Sequence, residues 1–245
     1  MEADSTKLEQ KKMMSGIKLV FYGTKGYHKI TSSQHKYHST MMLIYEGESI
    51  LFDCGLDWKD KIDTFKPHPS LVVITHEHPD HGGCTLSNVL QGKDFSAPIV
   101  RVPTEKLITQ VGSQEVTIVP IRVRHAKLVT IVPKVTISNR TFVYAPDLLT
   151  LPSLDVLENV QLYIGDGATV RHPLRFTSEV GYVGHASMYQ QVMWCRMKGV
   201  KRVIFTHFGS WATPEVEPMV LAQMRRDFPQ LTIEFAHDGW STKIR

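Results

Sequence analysis

The order of patterns along the chain predicts an α+β fold: two mixed β-sheets packed face to face, with helices on their outer faces. Two observations predict it. Strands come first and are followed by mixed strand and helix, and that succession occurs twice. The first half also holds a hairpin, which fits a simple doubly wound parallel sheet less well.

The elements follow in order. IKLVFYG (17–23) reads as a strand, and STMMLIYEGESILFDCG (39–55) as a hairpin turning at Glu46-Gly47. SLVVIT (70–75) is apolar without alternation, so it reads as a strand buried on both faces. APIVRVP (97–103) is another strand, and TEKLITQ (104–110) opens a helix with Thr104 as N-cap. Three strands follow: VTIVPIRVRH (116–125), LVTIVPKVTI (128–137) and TFVYA (141–145). PSLDVLENV (152–160) is a short helix and QLYIG (161–165) the strand after it. Residues 185–199 read as an amphipathic helix ending at Gly199. KRVIFTH (201–207) is a strand, and residues 213–228 form a helix with Thr213 as N-cap and Pro214 at its first position. LTIEFAHDGWSTKI (231–244) closes the chain with strand character.

The 245 residues are 42% hydrophobic and 21% charged, as expected of a globular chain. We expect a polar leader or expression remnant over 1–16 and one domain over 17–245. No apolar run is long enough to span a bilayer, so no membrane anchor is expected. Cys54, Cys84 and Cys195 lie far apart with no CxxC pair, which excludes a disulfide framework or a cysteine zinc site and points to a reducing, cytoplasmic setting. The net charge of +4 favours an anionic substrate such as a phosphate ester.

The chemistry concentrates in THEHPDHGG (75–83). His76, His78 and Asp80 alternate directly after a buried strand, and in a loop at a strand end such side chains can converge on one point. His81 can face a second point nearby. Imidazole and carboxylate together suit Zn²⁺, Mn²⁺ or Fe. Gly82 and Gly83 allow a tight turn into a helix. One loop cannot close such a site, but His125, Asp147 and His207 each follow a β-rich apolar run and supply further ligands at strand ends.

THEHPDH with His125, Asp147 and His207 resembles the metallo-β-lactamase-fold hydrolase superfamily. The resemblance covers the chain from about Ile17 onward. It implies an αββα sandwich with two divalent metal ions, Zn²⁺ first and Mn²⁺ or Fe as alternatives. By the family pattern His76, His78 and His125 hold one ion, Asp80, His81 and His207 the other, and Asp147 bridges them. Asp53, in ILFDCG, matches the aspartate that braces the ligand loop from behind.

HSTMMLIYEGESILFDCG, YVGHASMYQQV, IFTHFGS and FAHDGW resemble the phosphodiesterase branch, which includes tRNase Z and PhnP. That implies metal-assisted hydrolysis of a small or cyclic phosphodiester, a nucleotide or ribose phosphate, by a hydroxide bridging the ions. Asp80 orients the nucleophile. His185, expected at a helix start, contacts the phosphate or protonates the leaving oxygen. The histidine- and lysine-rich segment 22–39 is expected to rim the pocket and draw phosphate, with His38 and Ser39 as candidate substrate contacts. The stretch between Cys84 and His125 leaves no room for a tRNA-gripping arm, so a long tRNA is not the expected substrate. A homodimer is among the expectations the resemblance brings. A lactonase or thioesterase on the same ions is the first alternative, and a non-catalytic binding module the second.

Overall fold

The hairpin read at Glu46-Gly47 forms as expected, with both residues at positive φ, 50° and 85°. It joins β2 (Thr40–Tyr45) to β3 (Glu48–Phe52) within a six-stranded sheet. Its other strands are β1 (Lys18–Gly23), β4 (Leu71–Ile74), β5 (Ile99–Arg101) and β15 (Trp240–Lys243), in the order β15-β1-β2-β3-β4-β5. The computed structural model describes residues 16–86 and 96–244, so the expected leader, apart from Gly16, lies outside the described residues.

The second sheet has seven strands: β6 (Leu107–Val111), β7 (Gln114–Val123), β8 (Thr130–Ile137), β9 (Arg140–Tyr144), β10 (Leu162–Asp166), β13 (Arg202–Thr206) and β14 (Thr232–Phe235). Their order is β14-β13-β10-β9-β8-β7-β6. Both sheets mix parallel and antiparallel pairs.

The sheets face each other across a shared apolar layer. Leu19, Phe21, Met41, Leu43 and Phe52 from the first meet Val116, Val135, Phe142, Tyr144 and Ile164 from the second, all at most 1% exposed. Each large side chain buried this way contributes about 1.5–3 kcal/mol before conformational entropy is counted. The outer face of the second sheet is covered by α2 (Met188–Met197) and α3 (Glu217–Asp227), through Val192, Cys195, Met224 and Phe228. The outer face of the first is capped differently. There Trp58, Ile62 and Phe65, from two 3-10 turns, cover Val20, Met42, Leu51 and Val72.

Several expectations are corrected. TEKLITQ does not open a helix: β6 pairs antiparallel with β7 through a turn at Gly112, φ 57°. That turn and a waiting sheet edge override the helix propensity of Glu105 and Lys106. The helix expected from Thr213 begins at Glu217. The closing segment splits, with β14 in one sheet and β15 in the other. A separate hairpin, β11 (Leu174–Ser178) with β12 (Gly181–His185), has no counterpart in the sequence reading. His185 therefore ends a strand, and the helix starts at Met188 with the Ser187 hydroxyl accepting from Gln190 N.

Topology places the ligand candidates. β3 and β4 run parallel, and so do β9, β10 and β13. β7 is antiparallel to β8 and β8 to β9, so β7 shares the direction of β9. The carboxyl ends of these strands gather at one edge of the sandwich, where ligands of open sheets are held. Asp53, Thr75, His125, Asp147, Asp166 and His207 stand at or just past those ends. Among the described residues no helix is long and apolar enough to cross a membrane.

Candidate metal centre

At that edge the loop after β4 carries His76 and then His78, whose extended backbone caps α1 (Pro79–Gly82). Pro79 at the first helical position turns the chain so that Asp80 and His81 fall into one buried turn. The strand behind them is apolar on both faces, so the polar loop is the first point at which ligands can emerge.

Three overlapping groups of donor atoms result, each with its atoms within 4.8 Å of one another; the third, Asp147, Asp166, His185 and His207, borders the two described next. One is His76, His78, His125 and Asp147; the other is Asp80, His81, Asp147 and His207. Asp147 belongs to both. Its Oδ2 lies 3.5 Å from His76 Nε2, 3.6 Å from His81 Nε2 and 3.7 Å from His207 Nε2. Asp80 Oδ2 lies 3.3 Å from His81 Nε2 and 3.2 Å from His207 Nε2. His76 Nε2 and His78 Nδ1 are 3.0 Å apart.

The site suits cations. Among the described residues, His81 Nε2, His125 Nε2 and Asp80 Oδ1 are buried and make no hydrogen bond, while Asp147 Oδ1 faces only the rings of His125 and His185, at 2.8 and 2.9 Å. Orphaned buried acceptors of this kind cost about 1–3 kcal/mol each unless something satisfies them. Nitrogen and carboxylate oxygen in this mix fit zinc and its neighbours.

The ring atoms turned away from the centre are held from behind. Asp53 Oδ2 takes His81 Nδ1 at 2.7 Å, while Oδ1 accepts from Thr75 N and Thr75 Oγ1. Asp166 does the same on the other side. Its Oδ1 lies 3.3 Å from His207 Nδ1 and its Oδ2 2.8 Å from His185 Nδ1. The buried Gln191 of α2 clamps the Asp166 backbone, accepting from its N and donating to its O. His125 Nδ1 meets the Gly184 carbonyl at 3.0 Å. Such outer partners fix which nitrogen faces a metal.

Asp53 and His207 both take left-handed backbone, at φ 59° and 55°. For non-glycine residues this costs about 1–3 kcal/mol each; at these positions Asp53 reaches His81 Nδ1 and His207 Nε2 reaches Asp80.

The electrostatics follow. Burial keeps His76 and His78 below the ordinary histidine range. Burial also opposes charge on His81, but Asp80 and Asp53 outweigh it and raise the ring to about 10. His207 rises to about 10 against burial because Asp147, Asp166 and Asp80 surround it. Burial would raise Asp80, yet the His81 charge and the His207 hydrogen bond hold it well below the carboxylate range. Divalent cations would replace the protons on these rings.

A cavity of about 370 Å³ opens onto the centre. Asp80, Asp147, His78, His125, His185 and His207 form its polar floor; Tyr27, Leu174 and Phe176 supply apolar wall. A second cavity of about 430 Å³ adjoins it and shares His78, His125, Phe176 and His185.

No family model and no curated protein sequence matches the chain. Solved structures do. The protein YhfI from Bacillus subtilis, described as a metallo-β-lactamase fold protein, superposes with a TM-score of 0.72 at 16% identity, covering 94% of this chain and 100% of that one. This chain has the metallo-β-lactamase fold. Zn²⁺-bound PqqB from Methylobacterium extorquens has the same fold, with a TM-score of 0.65 at 10% identity over 93% of this chain and 100% of its own. A diphosphatase of the PhnP family matches at 0.62 and 16% identity, over 94% and 98%.

Within this metallo-β-lactamase fold the structure brings together all seven sequence-predicted ligands, with Asp53 behind His81 and His185 against Asp147. His38 and Ser39 stand elsewhere. His38 packs toward Asp57 and Ser39 toward the Lys25 carbonyl, and neither lines the cavity. The expected basic rim also differs. Lys25 is buried against Asp57 at 2.9 Å, so it lends the cavity no free charge. Asp166 is absent from the sequence reading, although QLYIGD ends in aspartate just as ILFD does at Asp53.

Proposed function

We propose that the chain is a metal-dependent phosphodiesterase acting on a small or cyclic phosphodiester, a nucleotide or ribose phosphate. One observation carries the reading. Asp147 joins two donor groups through Oδ2, while its Oδ1 lies 2.9 Å from His185 Nδ1, so an acid–base side chain adjoins a two-cation centre. The phosphate chemistry of the PhnP-family diphosphatase that shares this fold lends support.

His76, His78 and His125 would hold one ion, Asp80, His81 and His207 the other, with Asp147 between them. Zinc is the leading candidate. When bound, two such ions lower the pKa of water to about 7 and neutralise phosphoryl oxygens. The remaining work belongs to the protein. Asp80 and Asp147 fix the line of approach to phosphorus. His185 has Nδ1 occupied by Asp147 and Asp166, which leaves Nε2 for the cavity. Burial opposes charge on this ring, but the two carboxylates keep it well above the ordinary histidine range. In this reading His185 Nε2 carries the proton that the leaving group needs. As the P–O bond to the leaving group breaks, that proton passes to the departing oxygen.

A second reading, a lactonase or thioesterase, gains from one observation. Among the described residues, the cavity lining carries Tyr27, Leu174 and Phe176 and no lysine or arginine. A panel of bis(p-nitrophenyl) phosphate, 2′,3′-cyclic nucleotides, a lactone and a thioester, assayed with the zinc- and manganese-loaded chain, separates the two. Diester turnover is expected; lactone or thioester turnover without it would reverse the choice.

A further inference from the structure

The geometry assigns a third divalent-cation site, of zinc type, to His35, Glu217 and His237, away from the centre described above. It goes beyond the proposed hydrolysis and does not depend on it. The three residues come from distant parts of the chain: the loop after β1, the first turn of α3 and the link between β14 and β15. Their donor atoms lie within 4.8 Å of one another. His35 Nε2 is 2.8 Å from Glu217 Oε2, and His237 Nε2 is 2.6 Å from Glu217 Oε1. The side chains of His35 and Glu217 are 3% and 5% exposed, and that of His237 is 38% exposed, which gives an ion a way in.

The hydrogen-bond chain behind His35 decides where its proton sits. Asp238 Oδ2 accepts two backbone N–H groups, from Lys36 and Tyr37. Asp238 Oδ1 accepts the Thr24 hydroxyl at 2.7 Å. That hydroxyl has one hydrogen, now engaged, so its oxygen must accept from His35 Nδ1–H at 2.7 Å. In the neutral ring Nε2 then presents a lone pair to a carboxylate oxygen. Two acceptors at 2.8 Å repel unless a positive charge lies between them. One divalent cation satisfies His35 Nε2, His237 Nε2 and Glu217 together. Two imidazoles and a glutamate are a familiar zinc triad, with a fourth position left for water. The relay from His35 through Thr24 to Asp238 is the outer support that metal-bound imidazoles usually carry.

The site is wired to the cavity wall. Gly26 N donates to the Phe208 carbonyl, Phe208 N donates to the Thr24 carbonyl, and the Phe208 ring lies 4.5 Å from that of His35. An ion here would pin the loop that bears Tyr27 to α3.

Two measurements on the full chain test this. The zinc content of desalted, zinc-loaded protein should fall by one equivalent per chain from wild type to His237→Ala and to Glu217→Gln. Because the count is a difference, it is independent of how many ions the main centre holds. Equal content in wild type and folded variants would overturn the proposal. Should the variants not fold, wild type alone suffices. An anomalous difference map at the zinc absorption edge, from zinc-loaded crystals, should show a peak between His35, Glu217 and His237. No peak at that position overturns the assignment, whatever the main centre shows.

Discussion

Asp53 Oδ2 meets His81 Nδ1 at 2.7 Å, and neither group is exposed to solvent. The contact fixes the ring so that Nε2 faces Asp80 and Asp147, at 3.3 and 3.6 Å. Asp53→Ala should therefore leave the sheet intact yet weaken ion binding and kcat/KM by about 10–100-fold. Zinc competition with a chromogenic chelator, read beside far-UV circular dichroism, checks this. Unchanged zinc affinity in the folded variant would show that Asp53 does not orient His81.

Asp166→Asn and His185→Ala should both depend on the leaving group. A p-nitrophenolate departs without a proton, whereas an alkoxide needs one. Loss of His185 should cost about 10²–10⁴-fold on an alkyl-leaving diester and far less on the nitrophenyl one. Equal losses on the two substrates would make His185 a binding residue only. Asp166→Asn should show the same leaving-group pattern more weakly, since Asp147 still reaches His185 Nδ1, on top of an equal loss on both substrates from the freed His207 ring.

Much of this was legible in the sequence, for a physical reason. A strand apolar on both faces, such as LVVI, must be central, and polar residues at its end can only emerge at the sheet edge. That logic finds the 76–81 loop, His125, Asp147 and His207. The same logic applies to Asp166 at the end of LYIGD, which the sequence reading passes over. His185 ends a strand and does not start a helix because GYVGH belongs to a solvent-facing hairpin. Tyr182 there is 59% exposed and β11 is nearly bare, so no alternation marks the strands. The paired Lys25 and the inward-packed His38 were illegible for a different reason: Asp57 meets both only after folding.

His38 gives the pH prediction. Burial lowers its ring to about 4, and the nearby Asp57 carboxylate only partly opposes this. The folded state thus resists a proton that the unfolded chain takes up near pH 6.5. Stability from this residue is complete above pH 6.5 and is lost as pH falls from there toward 4. The loss is at most about 3 kcal/mol. His38→Gln should flatten the melting temperature across that window, measured by calorimetry from pH 7 to pH 4. A wild-type and variant difference that stays constant with pH would contradict it.

Gly55 tests the seating of the ligand loop. A Cβ added there would collide with the Asp80 carbonyl oxygen and with the Cβ of His38. Both contacts are with backbone or near-backbone atoms, so neither can swing away. Cys54 N also donates to the His81 carbonyl at 2.6 Å, which ties the two loops together. Gly55→Ala should push α1 off its position, lowering both ion occupancy and thermal stability, the latter by about 1–3 kcal/mol. A variant as stable and as well loaded as wild type would show that the loops are not in register contact.

The apolar wall bears on what the cavity accepts. Tyr27 is 71% exposed and Phe176 54% exposed, yet both line the pocket over the centre. At about 370 Å³ the pocket sits near the lower end of the range for small ligands, about 300–1,000 Å³. With Lys25 neutralised by Asp57, a phosphodiester of the proposed kind would meet the ions, His28 and His185, and the wall would be left to read its organic part. A planar base stacked on an aromatic ring is worth about 1–3 kcal/mol. Phe176→Ala should then raise KM for a nucleotide diester about 5–100-fold with little change in kcat, the signature of binding lost equally from ground and transition states. The same variant should leave bis-methyl phosphate kinetics nearly unchanged, because that substrate has nothing to stack. Parallel losses on both substrates would mean that Phe176 supports the β11–β12 hairpin rather than the ligand.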